Sequence, residues 1–349
     1  MTTDAEAESS AERARTIAVL GAGSWGTALA ALLAKNGHAV RLWARDPALA
    51  RALREASENV RYLPGIPLPQ AVTPTADLAA ALTGAEVVVF AVPSGAMRQV
   101  AQEAALHLAP DALPVSAAKG LEERSGLRMS QVLAQAIPGT ETRLVALSGP
   151  NLAVEVARGI PTASVAASTN PEAARAVQRL FTGQPSPTFR VYTGRDVVGV
   201  ELGGAIKNVI AIGAGVCDGL GYGDNSKAAL MTRGLTEILR LGVAQGAAAA
   251  TFLGLSGVGD LIATGASRLS RNYRVGYALG QGRALPDILA ELGQVAEGVP
   301  TTHVVCALAA RSQVEMPLCG ALYALLFEQR AAPDVIRELM LRPLKEEGF

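Results

Sequence analysis

The chain has 349 residues, half of them hydrophobic, and its 31 basic and 31 acidic residues cancel at neutral pH. At roughly 150 residues per domain this length allows two domains and an ample core. The neutral balance, without a long basic run, gives no electrostatic reason to expect nucleic acid or a membrane surface as partner. Cys217, Cys306 and Cys319 are widely spaced and form no CxxC pair. That argues against a disulfide framework or zinc site, fits a reducing cytoplasm, and leaves buried thiols as the default reading.

Met1–Arg13 is polar and mixed in charge with no apolar central segment, so it reads as a disordered lead-in and not a signal peptide. Residues 14–196 then alternate short apolar runs with helical stretches. Candidate strands are Thr16–Leu20, Ala39–Trp43, Val87–Val92, Pro114–Ala118 and Leu144–Leu147, with Ala163–Ala167 and Phe189–Tyr192 extending the set. Near-continuously apolar strands separated by helices imply an α/β Rossmann-type domain, its parallel sheet covered on both faces. From Val197 onward, over 197–349, the pattern is helical without a convincing strand. Gly-rich turns break it at Gly219–Gly223 and Gly254–Gly259, and Gly246–Thr251 reads as alanine-rich helix. Val197–Cys217 is about as long as a membrane span, but it carries Glu201, Lys207 and five glycines and so reads as a buried helix.

The first strand runs straight into Gly21-Ala22-Gly23-Ser24-Trp25-Gly26, and a helical stretch, Thr27–Lys35, follows at once. A G-x-G-x-x-G motif in this strand-to-helix context binds a dinucleotide. Gly21 permits the tight turn, Gly23 lets the backbone approach a pyrophosphate, and Gly26 lets helix and strand pack closely. The helix N-terminus offers free N–H groups to the phosphates. The cofactor's 2′ position is read past the second strand, where Arg45 and Asp46 both occur. Asp46 before Pro47 matches an N-cap followed by a favoured first helical residue. Arg45 has no comparable local role and suits a 2′-phosphate, so NADP(H) is favoured over NAD(H).

Candidate site residues follow the strand ends, where such sheets present ligands. They are Val92-Pro93-Ser94, Lys119-Gly120 and Ser148-Gly149-Pro150-Asn151. Lys119, directly after an apolar strand, is expected to point into the cleft. Lys207 has Gly203, Gly204, Ile210 and Ala211 as helical neighbours and no carboxylate at those spacings, so it must snorkel or border a polar cavity. Burial and nearby cations, Lys119 and Arg271 among them, would lower its pKa toward proton transfer near neutrality. Asn208 could orient a substrate oxygen or cap local backbone. Asp260 and Thr264 share a helix face, and Asp260 is equally readable as an N-cap. Ser267–Asn272 gathers Ser270, Arg271 and Asn272 in a mixture suited to a phosphate. Glu297 could form a capping turn or face the cofactor. His38, His107 and His303 show no metal-ligand spacing.

From about Thr16 to about Arg330 the chain resembles the bacterial NAD(P)-dependent glycerol-3-phosphate dehydrogenases. The likeness rests on an ordered set of motifs: Gly21–Ala30, Asn36-Gly-His38, Tyr62-Leu-Pro-Gly65, Ala118-Lys-Gly120, Glu201–Asn208, Gly257–Leu261, Ser270-Arg-Asn272 and Glu297-Gly-Val299. The resemblance implies reversible reduction of dihydroxyacetone phosphate to sn-glycerol 3-phosphate for phospholipid synthesis. It implies a homodimer paired through a helical substrate and dimerisation domain. Lys207 would be the proton donor and acceptor, Lys119 would touch both cofactor and substrate, and Arg271 with Asn272 would hold the substrate phosphate. Gly149, Asn151, Asn208, Asp260, Thr264 and Ser270 would line the substrate site. The cofactor set would comprise Gly21, Gly23, Ser24, Trp25, Gly26, Arg45, Pro93, Lys119, Ala153, Arg271, Val295 and Glu297. One departure stands out: the family's Gly-Pro-Ser-Phe-Ala is here Gly149-Pro-Asn-Leu-Ala153, and an amide is longer than a hydroxyl. Two rivals are a keto-acid reductase of the ketopantoate or β-hydroxyacid type and a non-catalytic dinucleotide sensor. The joint presence of Lys119, Lys207, Arg271 and Asn272 speaks against the sensor.

Overall fold

The computed structural model describes residues 13–183, 187–344 and 346–347. Of the expected lead-in only Arg13 falls among them, so that reading lies outside the described residues. The strands are β1 (Thr16–Leu20), β2 (Ala39–Trp43), β3 (Glu58–Asn59), β4 (Leu63–Pro67), β5 (Val72–Thr75), β6 (Val87–Phe90), β7 (Leu113–Ser116), β8 (Val145–Ser148), β9 (Thr162–Ala167) and β10 (Phe189–Gly194). Helices α1 (Ser24–Lys35), α2 (Pro47–Ala56), α3 (Leu78–Leu82), α4 (Met97–Ala105), α5 (Met129–Ala136), α6 (Ala153–Ala157) and α7 (Pro171–Thr182) fall between them. After β10 come α8 (Val197–Gly219), α9 (Asp224–Ala244), α10 (Asp260–Gly265), α11 (Arg271–Gly280), α12 (Leu285–Leu292), α13 (Gly298–Arg311), α14 (Pro317–Phe327) and α15 (Ala332–Met340). Past β10 the described residues are helix and turn; Ala249–Leu253 is a 3-10 turn in place of the expected alanine-rich helix.

Eight strands form one sheet in the order β10-β9-β8-β7-β6-β1-β2-β5, while β3 and β4 make a separate hairpin. The order reverses at β1, between β6 and β2, the switch point where such sheets bind ligands. The expectation of an all-parallel sheet is corrected at one junction: β8 and β9 pair antiparallel. A strand buried on both faces has the same apolar pattern in either direction, so periodicity does not encode polarity. β5 and the hairpin were not anticipated either. β5 contains Pro74, which demotes a strand pattern, and it survives because it lies at the sheet edge, where a missing N–H breaks no ladder bond.

Successive β1 residues serve opposite faces. Ile17 and Val19 join Leu29 and Leu33 of α1 and Phe181 of α7. Ala18 and Leu20 join Met97 of α4 and Leu133 of α5. Each large side chain so enclosed contributes about 1.5–3 kcal/mol, and the double cover holds the strand ends in place.

Helix α8 is long and apolar enough to cross a membrane, yet 89% of its most apolar window is buried inside the fold. It is capped by Asp196, whose carboxylate accepts from Gly199 N at 2.8 Å, and it packs against α9, α10, α11, α13 and α14. A Cβ on Gly276 would lie 1.8 Å from the Ile212 carbonyl oxygen, and one on Gly215 would lie 2.1 Å from that of Tyr273. The α8 and α11 backbones therefore touch. This contact brings the helix carrying Lys207 beside the helix that opens with Arg271.

Candidate active site

The glycine turn follows from backbone geometry. Gly21 sits at φ +116°, and a Cβ on Gly26 would stand 1.8 Å from the Gly21 carbonyl oxygen, so neither position accepts a side chain. A Cβ on Gly23 would meet nothing within 4 Å. Helix α1 has no side-chain cap, which leaves its first-turn N–H groups directed at open space. That is the cradle a pyrophosphate requires. Asn59 braces the turn by donating to Ala22 O at 2.9 Å and Thr27 Oγ1 at 2.7 Å. Sequence reasoning missed Asn59, since its partners are more than thirty residues away. Trp25 donates its indole N–H to Ala117 O, and Ser24 donates to Tyr62 O. Asp46 caps α2 through Ala48 N at 2.9 Å. Arg45 is exposed and makes no hydrogen bond or ion pair among the described residues. Pro93 and Val295 are exposed, and Ala153 opens α6.

The two lysines meet over one carboxylate. Asp260 Oδ1 lies 2.8 Å from Lys207 Nζ, and Oδ2 lies 2.7 Å from Lys119 Nζ. Lys119 also donates to Gly149 O at 2.7 Å. Lys207 also donates to Thr264 Oγ1 at 2.5 Å. The N-cap alternative for Asp260 is not followed, and the unpaired reading of Lys207 is corrected. Asp260 does not cap its helix: its carboxylate is spent on the lysines. Lys207 does have an acidic partner, 53 residues further along, which helical spacing cannot reveal. Burial brings the Lys207 ammonium down from 10.5 to about 8; Asp260 opposes this shift, while Lys119 and Arg271 reinforce it. Burial thus leads, and the like-charge repulsion expected from the sequence comes behind it.

Beside this cluster the Arg271 guanidinium is largely enclosed. Its one hydrogen bond is a long contact of 3.5 Å to Gln294 Oε1, and it has no ion pair within 4.0 Å among the described residues. Burial lowers its pKa while Glu297 raises it. A desolvated guanidinium without a bonded carboxylate is a receptor for an external anion. Asn272 and Asn208 are more committed than expected. Asn272 donates to Asn208 Oδ1 at 2.8 Å and accepts from Gly298 N at 2.9 Å, while Asn208 donates to Lys119 O at 3.2 Å. Asn208 also donates to Gly204 O at 3.3 Å within its own helix, and its bond to Lys119 O fixes the lysine strand end. Ser270 caps α11 through Tyr273 N. Asn151 turns back onto β9, donating to Ala163 O and accepting from Ser164 Oγ, so its longer amide is absorbed by the sheet. Glu297 accepts from Ser94 N at 3.0 Å and Ser94 Oγ at 2.5 Å, tying the end of β6 to the start of α13. Burial raises its pKa, opposed by those bonds and by Arg271. No group of three or more His, Cys, Asp or Glu among the described residues could hold a metal.

The chain carrying this glycine turn, lysine pair and part-buried guanidinium is similar to known proteins. A family model for the NAD-dependent glycerol-3-phosphate dehydrogenase N-terminus covers residues 16–174, and the corresponding C-terminal model covers 196–337. The chain belongs to the NAD(P)-dependent glycerol-3-phosphate dehydrogenase family. The enzyme of that name from Moorella thermoacetica is 51% identical over 332 residues, covering 95% of this chain and 97% of that one. The one from Geobacter sp. strain M21 is 50% identical over 336 residues, covering 96% and 99%. A crystal structure of glycerol-3-phosphate dehydrogenase from Coxiella burnetii superposes with TM-score 0.90 at 38% identity, covering 94% of this chain and 99% of that one. Within this glycerol-3-phosphate dehydrogenase fold, Lys119, Gly149, Lys207, Asp260 and Thr264 form one bonded cluster, while Arg45, Pro93 and Val295 are exposed.

Proposed function

We propose that this chain catalyses the reversible reduction of dihydroxyacetone phosphate to sn-glycerol 3-phosphate, with NADPH preferred over NADH, for phospholipid synthesis. The observation that carries this is Asp260 bridging Lys207 and Lys119 beside a part-buried Arg271 with no carboxylate bonded to it. A ketone needs a proton donor at the oxygen that becomes alkoxide, and a phosphate needs a fixed cation. Both are supplied here, by Lys207 and Arg271 on touching helices.

A nicotinamide cofactor held by the glycine turn would supply hydride chemistry when bound. With a pKa of about 8, Lys207 is mostly ammonium at neutral pH and close enough to neutrality to release its proton. Lys119 adds fixed positive charge beside the same site, stabilising charge that exists mainly in the transition state. Asp260 holds both ammonium groups in register and offsets their repulsion. Arg271 anchors the phosphate, and binding at that remote group can lower the barrier itself. Gly21, Gly23, Gly26, Ser24 and Trp25 would hold the pyrophosphate end of the cofactor. Asp46 is committed to capping α2, so Arg45 is left to face the 2′ position, which supports NADP(H).

We assign residues 14–196 to the dinucleotide domain and 197–349 to the substrate and dimerisation domain. Membership of the family supports a homodimer paired through the latter. The three free cysteines support a cytoplasmic location. The test is loss of nicotinamide absorbance with dihydroxyacetone phosphate, using NADPH and NADH in parallel, and ketopantoate as the contrasting substrate. Rapid oxidation with the phosphorylated ketone supports the reading; oxidation with the keto-acid alone overturns it.

A further inference from the structure

Glu201 is a buried carboxylate that the chemistry above does not use. It sits on the second turn of α8, yet every hydrogen bond it makes is to the other domain. Oε1 accepts from Ser130 N at 2.7 Å, and Oε2 accepts from Arg128 Nη1 at 2.6 Å and Ser130 Oγ at 2.5 Å. Ser130 lies in the first turn of α5, whose N-cap position is Arg128. Glu201 therefore supplies, from across the domain boundary, the anion that a helix N-terminus favours.

Lys207 follows six residues later on the same rigid helix, about 9 Å along its axis. The neighbouring contacts of α8 with the sheet are mostly apolar, with Val200 against Ala146 and Ala167. Such contacts are non-directional, and the close packing of α8 on α11 lies within the helical domain and does not tie the helix to the sheet. A rotation of about 10° would carry an ammonium lying about 7 Å from the helix axis by roughly 1 Å. Two α8 side chains bond directly to the dinucleotide domain and resist it: Asn208 on Lys119 O beside the chemistry, and Glu201 on α5 away from it. We infer that Glu201 is a positioning residue for the reaction, holding α8 so that the Lys207 ammonium stays aligned with Lys119, Asp260 and Thr264. This inference rests on the dehydrogenase reading of the site.

The test is Glu201→Gln, which keeps the shape and removes the charge, with Ser130→Ala as a milder second variant that leaves Glu201 in place. Both are assayed well below their melting temperatures with saturating NADPH. A misplacement near 1 Å lowers kcat by about ten- to a hundredfold, with NADPH binding unchanged because its cradle is on α1. A second readout needs no turnover: reductive methylation of Lys207, followed by mass spectrometry against pH. Its midpoint should start near 8 and move in Glu201→Gln, because the burial and the Asp260 pair that set it both depend on alignment. A parent chain that turns over no dihydroxyacetone phosphate refutes the activity alone, since the methylation midpoint still reports on Glu201. The inference is overturned if the variants lose thermal stability while kcat stays within twofold and the midpoint does not move. If Glu201→Gln does not fold, Ser130→Ala decides on the same two readings.

Discussion

Asp260→Asn probes the charge that holds the lysine pair. The substitution keeps the side-chain volume and removes the anion 2.8 Å from Lys207 Nζ. At an effective dielectric near 20 that pair is worth up to about 6 kcal/mol. Sharing of Asp260 with Lys119 and entry of water bring this to about 3 kcal/mol, or about two pKa units. Lys207 would then fall from about 8 to about 6. Reduction requires the ammonium form. At about pH 7.5 the protonated fraction drops from about three quarters to about 3%, roughly a 25-fold loss in rate. The assay is kcat for dihydroxyacetone phosphate reduction from about pH 5.5 to 9.5 at saturating NADPH. The parent should hold a plateau to about pH 7 and fall to half near pH 8; the variant should show the same shape displaced toward acid, regaining most of its own plateau near pH 5.5. A variant whose rate is uniformly depressed, with its basic limb still near 8, would refute the electrostatic role assigned to Asp260.

Arg271→Ala removes the phosphate anchor. It should lower kcat/KM for dihydroxyacetone phosphate by about a hundredfold, from the loss of charged hydrogen bonds, and barely affect unphosphorylated dihydroxyacetone; equal losses with both ketones count against the anchor. Arg45→Ala should raise the KM for NADPH by about ten- to a hundredfold and leave NADH nearly unchanged, as initial rates with the two cofactors will show. Glu237 is buried and bonded to Leu318 N and Cys319 N at the start of α14, and burial lifts its pKa from 4.5 to about 7. An acid whose folded value is raised stabilises nothing above that value: stability falls as pH rises from 4.5 to about 7, by about 3 kcal/mol in all. Glu237→Gln loses one acceptor, about 1 kcal/mol. It should therefore melt slightly below the parent at about pH 5 and above it at about pH 8, and melting curves that keep the same order at both pH values would contradict this. Gly26→Ala, which drives a methyl group into the Gly21 carbonyl, should abolish dinucleotide binding measured by fluorescence titration.

Much of this protein was written locally. The apolar run Thr16–Leu20 before Gly21-Ala-Gly-Ser-Trp-Gly26 fixed a strand, a turn and a helix, because the turn needs a positive φ at Gly21 and closure at Gly26, and both are properties of adjacent residues. The change from alternating runs to long helices after Gly194 was equally legible, since periodicity is local. Asp46-Pro47 announced the start of α2 for the same reason. Tertiary structure alone decided what depends on distant partners. The direction of β9 is invisible in a run that is apolar on both faces. The pairing of Lys207 with Asp260, the spending of Glu297 on Ser94, and the service of Asn59 to the glycine turn all join residues more than thirty positions apart. So does the attachment of Glu201 to α5. A sequence states which charges a helix carries; only the packing of α8 against α11 and the sheet determines which of them meet, because hydrogen bonds act over about 3 Å and chain connectivity constrains no such distance between remote positions.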